Sequence, residues 1–378
     1  METIKNTIND AVTATKQALS TAPPTDQYLR WDAPGVEVLQ PDEEAKGRQI
    51  AEVMTRMQKK NFAKHRKAFT ATHVKSQGMV KGKLQVRSDL PAHLQQGMFS
   101  EPGRTYDVAA RYANEPYLLQ ADQEPGPRGF AMKVFGVEGA RLPSPGNEEG
   151  TTQDWLMNNS PALELTDVDT TLDIMSLREK YFDNPNQLGL QLKLRTDAIK
   201  QHGPYMLPNT NVLSHAFYTQ SAFRFGDYYG HLGLFPVKEE QKQRNQKVTS
   251  AESEGVISDW LQDYFGSESA VYELRVQLGT DPKHHPTEDA SVVWDEMTAP
   301  YQTVATVTFP KQDSFSHARR TFWEESVYLS PWHGLEAHKP LGSVNRLRSK
   351  VYPNSRNQRD EINVKKSSTL KSINDIPN

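Results

Sequence analysis

The sequence predicts an α+β fold, an antiparallel β-barrel flanked by helices. Three observations carry this reading. Five segments of strand length alternate apolar and polar residues, at 79–86, 106–112, 129–135, 270–278 and 302–309. No regular helix intervenes between most of them, as a parallel sheet would require. An aromatic-rich stretch over 211–236 adds two more strands.

The remaining elements follow in chain order. Residues 1–20 read as a short polar helix or arm, broken by Ser20-Thr-Ala-Pro-Pro-Thr-Asp26. Residues 46–68 carry Ile50, Val53, Met54 and Met57 at helical spacing and predict a helix. Further helical stretches are expected at about 166–203, 251–266 and 341–352. The tail, 360–378, is polar and is expected to be poorly ordered. No linker is long enough to separate two domains. The expected organisation is an N-terminal arm (1–45), a single domain (46–359) and a C-terminal tail (360–378).

Composition narrows the function. The 378 residues are 36% hydrophobic with a mean hydropathy of −0.72, and no apolar run approaches the ~20 residues that span a bilayer. The first residues lack a basic stretch followed by an apolar one, so an intracellular protein, cytoplasmic or otherwise, is expected. A net charge of −3, with acids and bases interspersed, argues against nucleic acid as a partner. The absence of cysteine excludes disulfides, thiolate metal sites and cysteine nucleophiles.

The chemistry-bearing stretch is Arg348-Ser-Lys-Val-Tyr352-Pro-Asn-Ser355-Arg-Asn-Gln-Arg359. On a helix, spacings of 3, 4 and 7 place Arg348, Tyr352, Ser355 and Arg359 on one face. A guanidinium beside a phenol favours the phenolate, a known haem-iron ligand. Arg359 has the donor geometry to pair with a propionate. The alternative is an ordinary polar face of an amphipathic helix. Upstream, Thr72-His73-Val-Lys75-Ser-Gln-Gly78 places a histidine at a strand entrance, from which it can project into a barrel interior. Asp154-Trp-Leu-Met-Asn158-Asn159-Ser-Pro161 offers a carboxamide, and Arg111 sits on a strand. Read singly, these are a structural histidine, a turn and a surface arginine.

Together the pieces resemble the haem catalase superfamily. The helix matches the pattern Arg-x-x-x-Tyr-Pro-x-Ser/Thr-x-x-x-Arg at every fixed position. His73-Val-Lys75 with Gly78 resembles the distal histidine segment, and Asn158-Asn159-Ser160-Pro161 the distal asparagine segment. Pro127-Arg128-Gly129-Phe130-Ala131-Met132-Lys133 resembles the Arg-Gly-Phe-Ala-x-Lys strand. Ser214-His215 and the aromatic strands after it resemble the later barrel strands. The matches run in the family's order over about 60–360.

The resemblance implies a catalase-type, eight-stranded antiparallel β-barrel with flanking helices, enclosing haem b. Tyr352 would be the iron ligand, supported by Arg348. His73 and Asn158 would be the catalytic distal pair, and Arg111, Arg359 and Thr72 would contact the cofactor. Three positions depart from the catalase pattern: Thr70 replaces a propionate-binding arginine, Thr72 a valine and Ala113 a serine. Arg66 or Lys67 are candidates to replace the missing cation. The Thr72-His73 pair and the Arg111-x-Ala113-Asn114 segment resemble the small catalase-related haemoproteins, which include allene oxide synthases. The expected activity is cleavage of a peroxide O–O bond, in hydrogen peroxide or a lipid hydroperoxide. A fatty-acid hydroperoxide rearrangement, or a haem carrier or sensor without turnover, are the alternatives. A homo-oligomer is compatible with each.

Overall fold

The computed structural model describes residues 25–147 and 150–378, so the arm expected over 1–20 lies outside the described residues. Nine strands form one antiparallel sheet: β1 (Ser76–Val86), β2 (Thr105–Asn114), β3 (Arg128–Phe135), β4 (Thr152–Asn158), β5 (Phe217–Tyr218), β6 (Phe223–Phe225), β7 (Tyr228–Pro236), β8 (Ala270–Leu278) and β9 (Tyr301–Phe309). β5 pairs with both β4 and β7, and β9 pairs with β1. These pairings close eight strands into a barrel. β6 lies outside the ring, hairpinned onto β7 through Phe223 opposite Gly230.

Alternation along the strands separates two faces. Val108, Ala110 and Tyr112 of β2, Phe130, Met132 and Val134 of β3, and Trp155 and Met157 of β4 belong to the barrel core. The interior is packed solid with rings. Phe130 lies against Tyr112 and Phe217 at centroid separations of 5.0 and 5.2 Å. Two phenols meet there, Tyr112 and Tyr272, with hydroxyls 2.8 Å apart, so neither polar tip is stranded.

The other face of the same strands points outward. Arg111, Ala131 and Leu156 sit side by side in register, as do Ala113, Gly129 and Asn158. Helices cover this face. The helices used below are α1 (Glu43–His65), α2 (Val168–Lys180), α3 (Val256–Ser267), α4 (His317–Ser326) and α5 (Ser343–Ile362). Ile50, Val53, Met54 and Met57 of α1 pack with Val168 and Met175 of α2 and with Leu347 and Val351 of α5. Burying each such side chain contributes roughly 1.5–3 kcal/mol.

β4 is a strand that the sequence reading did not name, and the turn chemistry of Asn158–Pro161 falls at its end. Two expectations are corrected. α5 does not stop near 352 but continues to Ile362, carrying Pro353 inside it. The tail is packed rather than loose: Leu370 and Ile376, 5% and 1% exposed, join Met79, Ala109, Phe135 and Trp323 on the barrel's outer face. Hydrogen bonds add to this anchoring, from Arg319 Nε to the Pro377 carbonyl and from Arg359 Nη2 to Ser367 Oγ.

Candidate functional site

Between the outer face of β2–β4 and helix α5 lies a cavity of about 930 Å³, its open mouth included. A second pocket of about 420 Å³ adjoins it. They share His73, Arg111, Ala131, Leu156 and Tyr352 as lining. Arg348 lines the smaller pocket, while Ser355 and Arg359 line the larger, so the four-residue helix face predicted from spacing is the face turned toward this space. The space lies outside the barrel wall. The interior, where His73 was expected to project, is filled by the aromatic core.

His73 is held by its backbone. Its φ is 54°, the left-handed region that non-glycine residues seldom enter. Its N–H donates to the Glu115 carbonyl at 2.8 Å, and its carbonyl accepts from Arg111 Nη2 at 2.5 Å. Thr70 Oγ1 donates to the Thr72 carbonyl at 2.6 Å and bridges to that of His73 at 3.5 Å. The imidazole lies directly on Gly129, where any Cβ would collide with it. Asn158 Oδ1 lies 3.3 Å from that same Cβ position. The glycine is therefore what lets the imidazole and the carboxamide meet on one strand pair. Burial, then the charges of Arg111 and Arg348, pushes the His73 pKa down to about 3, so the ring is neutral at pH 7.

Asn158 Nδ2 donates to Gln220 Oε1 at 2.8 Å, and Asn158 Oδ1 is buried without a partner. The neighbouring Asn159 is structural. It accepts from the Arg128 N–H at 2.8 Å and meets His215 at 3.2 Å.

Facing them, Tyr352 projects from α5. The sequence led us to expect its phenol to be ionised by Arg348. The structure corrects this: burial raises the phenol pKa, and Arg348 offsets only part of that rise while Glu115 adds to it. In the protein alone the phenol keeps its proton. Arg348 itself is fixed, donating to Asn345 Oδ1 at 2.9 Å. Asn345 in turn donates to the Ala222 carbonyl and accepts from Trp332 Nε1. Ser355 Oγ accepts from the N–H of Ala71 at 3.2 Å, pinning the histidine loop to the helix.

Four cations line the larger cavity: Lys67, Arg111, Arg356 and Arg359. Arg111 spends Nε on Ser76 Oγ and Nη2 on His73, so it braces the loop as well as lining the space. Arg359 donates through Nη2 to Ser367 Oγ and the Val327 carbonyl, and its buried Nε makes no hydrogen bond but lies 3.7 Å from Asp360 Oδ1. Of the two candidates to replace a cation at Thr70, Lys67 reaches the cavity, held by Glu324 and Glu325 at 3.1 and 2.8 Å. Arg66 is not among the lining residues. Thr72 lines the larger cavity and Ala113 the smaller.

Sequence reasoning missed Gln220, Arg356 and the buried pair Lys133–Asp154, 2.6 Å apart and one register pair beyond Ala131–Leu156 on the same outer face. Lys133 and Asp154 are cross-strand partners on β3 and β4, which could have been found had β4 been read as a strand. Gln220 sits in Thr-Gln-Ser between two strands and carries no sequence signal. Among the described residues no cluster of His, Asp or Glu is arranged to hold a metal ion, and no helix is long and apolar enough to cross a membrane.

No protein-family model matches the sequence, and no curated protein matches it. Solved structures do. A fungal catalase superposes with a TM-score of 0.61 at 17% identity, over 83% of this chain. The chain has the catalase fold. Catalase A from Saccharomyces cerevisiae gives 0.54 at 17% over 80% of the chain, and a bacterial catalase 0.53 at 14% over 79%. The match spans 64% of the fungal and yeast catalases and 58% of the bacterial one, so this catalase fold covers under two thirds of their lengths.

Proposed function

We propose that this catalase-fold protein binds haem b between β2–β4 and α5 and cleaves peroxide O–O bonds. One observation carries the reading: a phenol and a neutral imidazole with an unpartnered carboxamide oxygen line facing walls of a single cavity.

The residues present fit the cofactor. Tyr352 supplies an anionic oxygen ligand once its proton leaves, and Arg348 favours that anion. The guanidiniums of Arg359 and Arg111 on the cavity wall would suit propionates, with Lys67 standing near the position where Thr70 removes a cation. Bound haem would supply the redox change that splits the O–O bond. His73 would take the proton of the hydroperoxide and return it to the departing oxygen, a role that requires it neutral beforehand. Asn158 would orient the peroxide by a hydrogen bond. A carrier or sensor without turnover would need neither group.

The substrate is hydrogen peroxide or an organic hydroperoxide. Thr72 on the cavity wall and the missing hydroxyl at Ala113 support the lipid hydroperoxide as the second reading. Absorption spectra of the purified protein after haemin addition test the cofactor; a protein that takes up no haem ends the proposal. Turnover of hydrogen peroxide, with and without an aromatic electron donor, against that of a polyunsaturated hydroperoxide separates the two substrate readings.

A further inference from the structure

We infer that Gln220 is a positioning residue that turns the carbonyl oxygen of Asn158, not its NH2, into the cavity, so that the site favours proton-donating ligands, protonated hydroperoxides, over small anions. This rests on the haem site proposed above and adds the orientation and the ligand class.

The argument is a chain of forced hydrogen bonds. Ala162 offers a carbonyl, which only accepts. Gln220 Nε2 donates to it at 2.6 Å, and that fixes which end of the Gln220 amide faces which way. Its Oε1 is therefore turned to Asn158, where it can only accept, and Asn158 Nδ2 donates to it at 2.8 Å. Asn158 Oδ1 is left on the side of His73 and Gly129, buried and without a partner. Reversing the Asn158 amide would set two oxygens against each other and strand the NH2.

The surroundings make this arrangement stiff. Gln220 is 3% exposed and adopts φ 63°, the left-handed region, between β5 and β6. A strained backbone at a buried glutamine persists where its side chain is held at both ends. An unpartnered buried acceptor is costly, and the cost is relieved by a ligand bearing an O–H. Hydrogen peroxide brings two, one for Oδ1 and one for the His73 imidazole, and an organic hydroperoxide brings one that the two groups share. An anion such as azide brings only lone pairs to face Oδ1.

The test uses the haem-loaded protein with sodium azide as probe, its dissociation constant read from the absorption spectrum. In Gln220→Leu the Asn158 amide is free to rotate and present its NH2, so azide should bind about tenfold more tightly or better. Gln220→Glu is the conservative control. Its carboxyl still accepts from Asn158 Nδ2 and keeps Oδ1 turned into the cavity, so azide should bind no more tightly than to wild type. Equal azide affinity in wild type and Gln220→Leu, with haem retained by both, overturns the inference.

If no haem is taken up, the proposed function fails separately, and the amide orientation is still read in the haem-free wild-type protein. The Asn158 side-chain NH2, assigned by its loss in Asn158→Asp, should exchange with solvent slowly. Exchange as fast as that of an exposed amide overturns the inference. The same measurement decides if Gln220→Leu does not fold.

Discussion

The two walls of the cavity are built in opposite ways. The helix wall is one element: Arg348, Tyr352, Ser355 and Arg359 come from twelve consecutive residues, and the turn of α5 aligns them. The strand wall is assembled from a strained loop at His73, a glycine on β3, the end of β4 and Gln220 before β6. The helix is moored at its start by Arg346, which reaches Glu43 at 2.6 Å and Glu37 and Glu288 at 2.8 Å. The strand wall is moored beside the site, on the same face, by Lys133–Asp154. Local spacing can place the proposed iron ligand, whereas the proposed proton-transfer pair needs several distant segments to agree. Catalysis should therefore fail on the strand wall and cofactor retention on the helix wall.

The largest expected effect is on turnover. His73→Ala should lower peroxide cleavage by roughly 10²–10⁴-fold, the usual contribution of a placed acid–base group, while the haem spectrum persists. Wild-type turnover in that variant would remove His73 from the mechanism.

Asp154→Asn leaves Lys133 buried beside a neutral group. Breaking a buried pair from one side costs about 3–5 kcal/mol, measured by urea unfolding at pH 7. The cost should fade in acid. Burial alone would raise the Asp154 pKa, but Lys133 and His333 outweigh it and hold it below its ordinary 3.8. A depressed carboxylate contributes stability above the unfolded value, and the contribution is lost as pH falls through the folded one. Wild type and Asp154→Asn should thus begin to converge only as pH falls below 3.8, and meet below the still lower folded value. Both should also weaken from about pH 6.5 downward. Burial pushes His215 down to about 4 and His231 to about 3, so the unfolded rings take protons that the folded ones refuse. Each contributes a loss of about 1.4 kcal/mol per pH unit.

Tyr352→Phe tests the helix wall. It removes the oxygen proposed to hold the iron and nothing else from α5. Outer-shell partners alone change metal affinity about 10–100-fold, so loss of the ligand itself should weaken haem binding at least about 100-fold in a haemin titration. Unchanged haem affinity would place the cofactor elsewhere.

How far the sequence could be read follows from this asymmetry. The barrel and the helix face are legible because periods of 2 and 3.6 are local properties. β8 lies where alternation put it, at Ala270–Leu278. β4 was not, because Asn158-Asn159-Ser160-Pro161 is turn chemistry at the end of a buried strand. The barrel's contents were also misjudged. Strand alternation marks two faces without saying which one is filled by rings, and Tyr112 and Arg111 differ by one position in that respect. Gln220 and the glutamates around Arg346 are invisible in sequence for a simpler reason. Their partners lie 62 residues away from Gln220, and 58 to 309 away from Arg346.

The smallest effect probes where the walls meet. Thr70 stands where the catalase pattern has a propionate-binding arginine, and its hydroxyl instead bonds the carbonyl of Thr72 at 2.6 Å. That bond helps hold the turn in which His73 adopts its positive φ. Thr70→Ala should cost about 1 kcal/mol of stability, the net worth of one hydrogen bond. Haem affinity should not change, because the hydroxyl faces the loop backbone. Turnover should fall several-fold, because Arg111 then restrains the His73 carbonyl without help. Thr70→Ser keeps the hydroxyl and should restore both. If Thr70→Ala instead weakens haem binding and leaves turnover per bound haem intact, Thr70 serves the cofactor and not the loop. The strand wall would then owe its strained histidine to Arg111 and Glu115 alone.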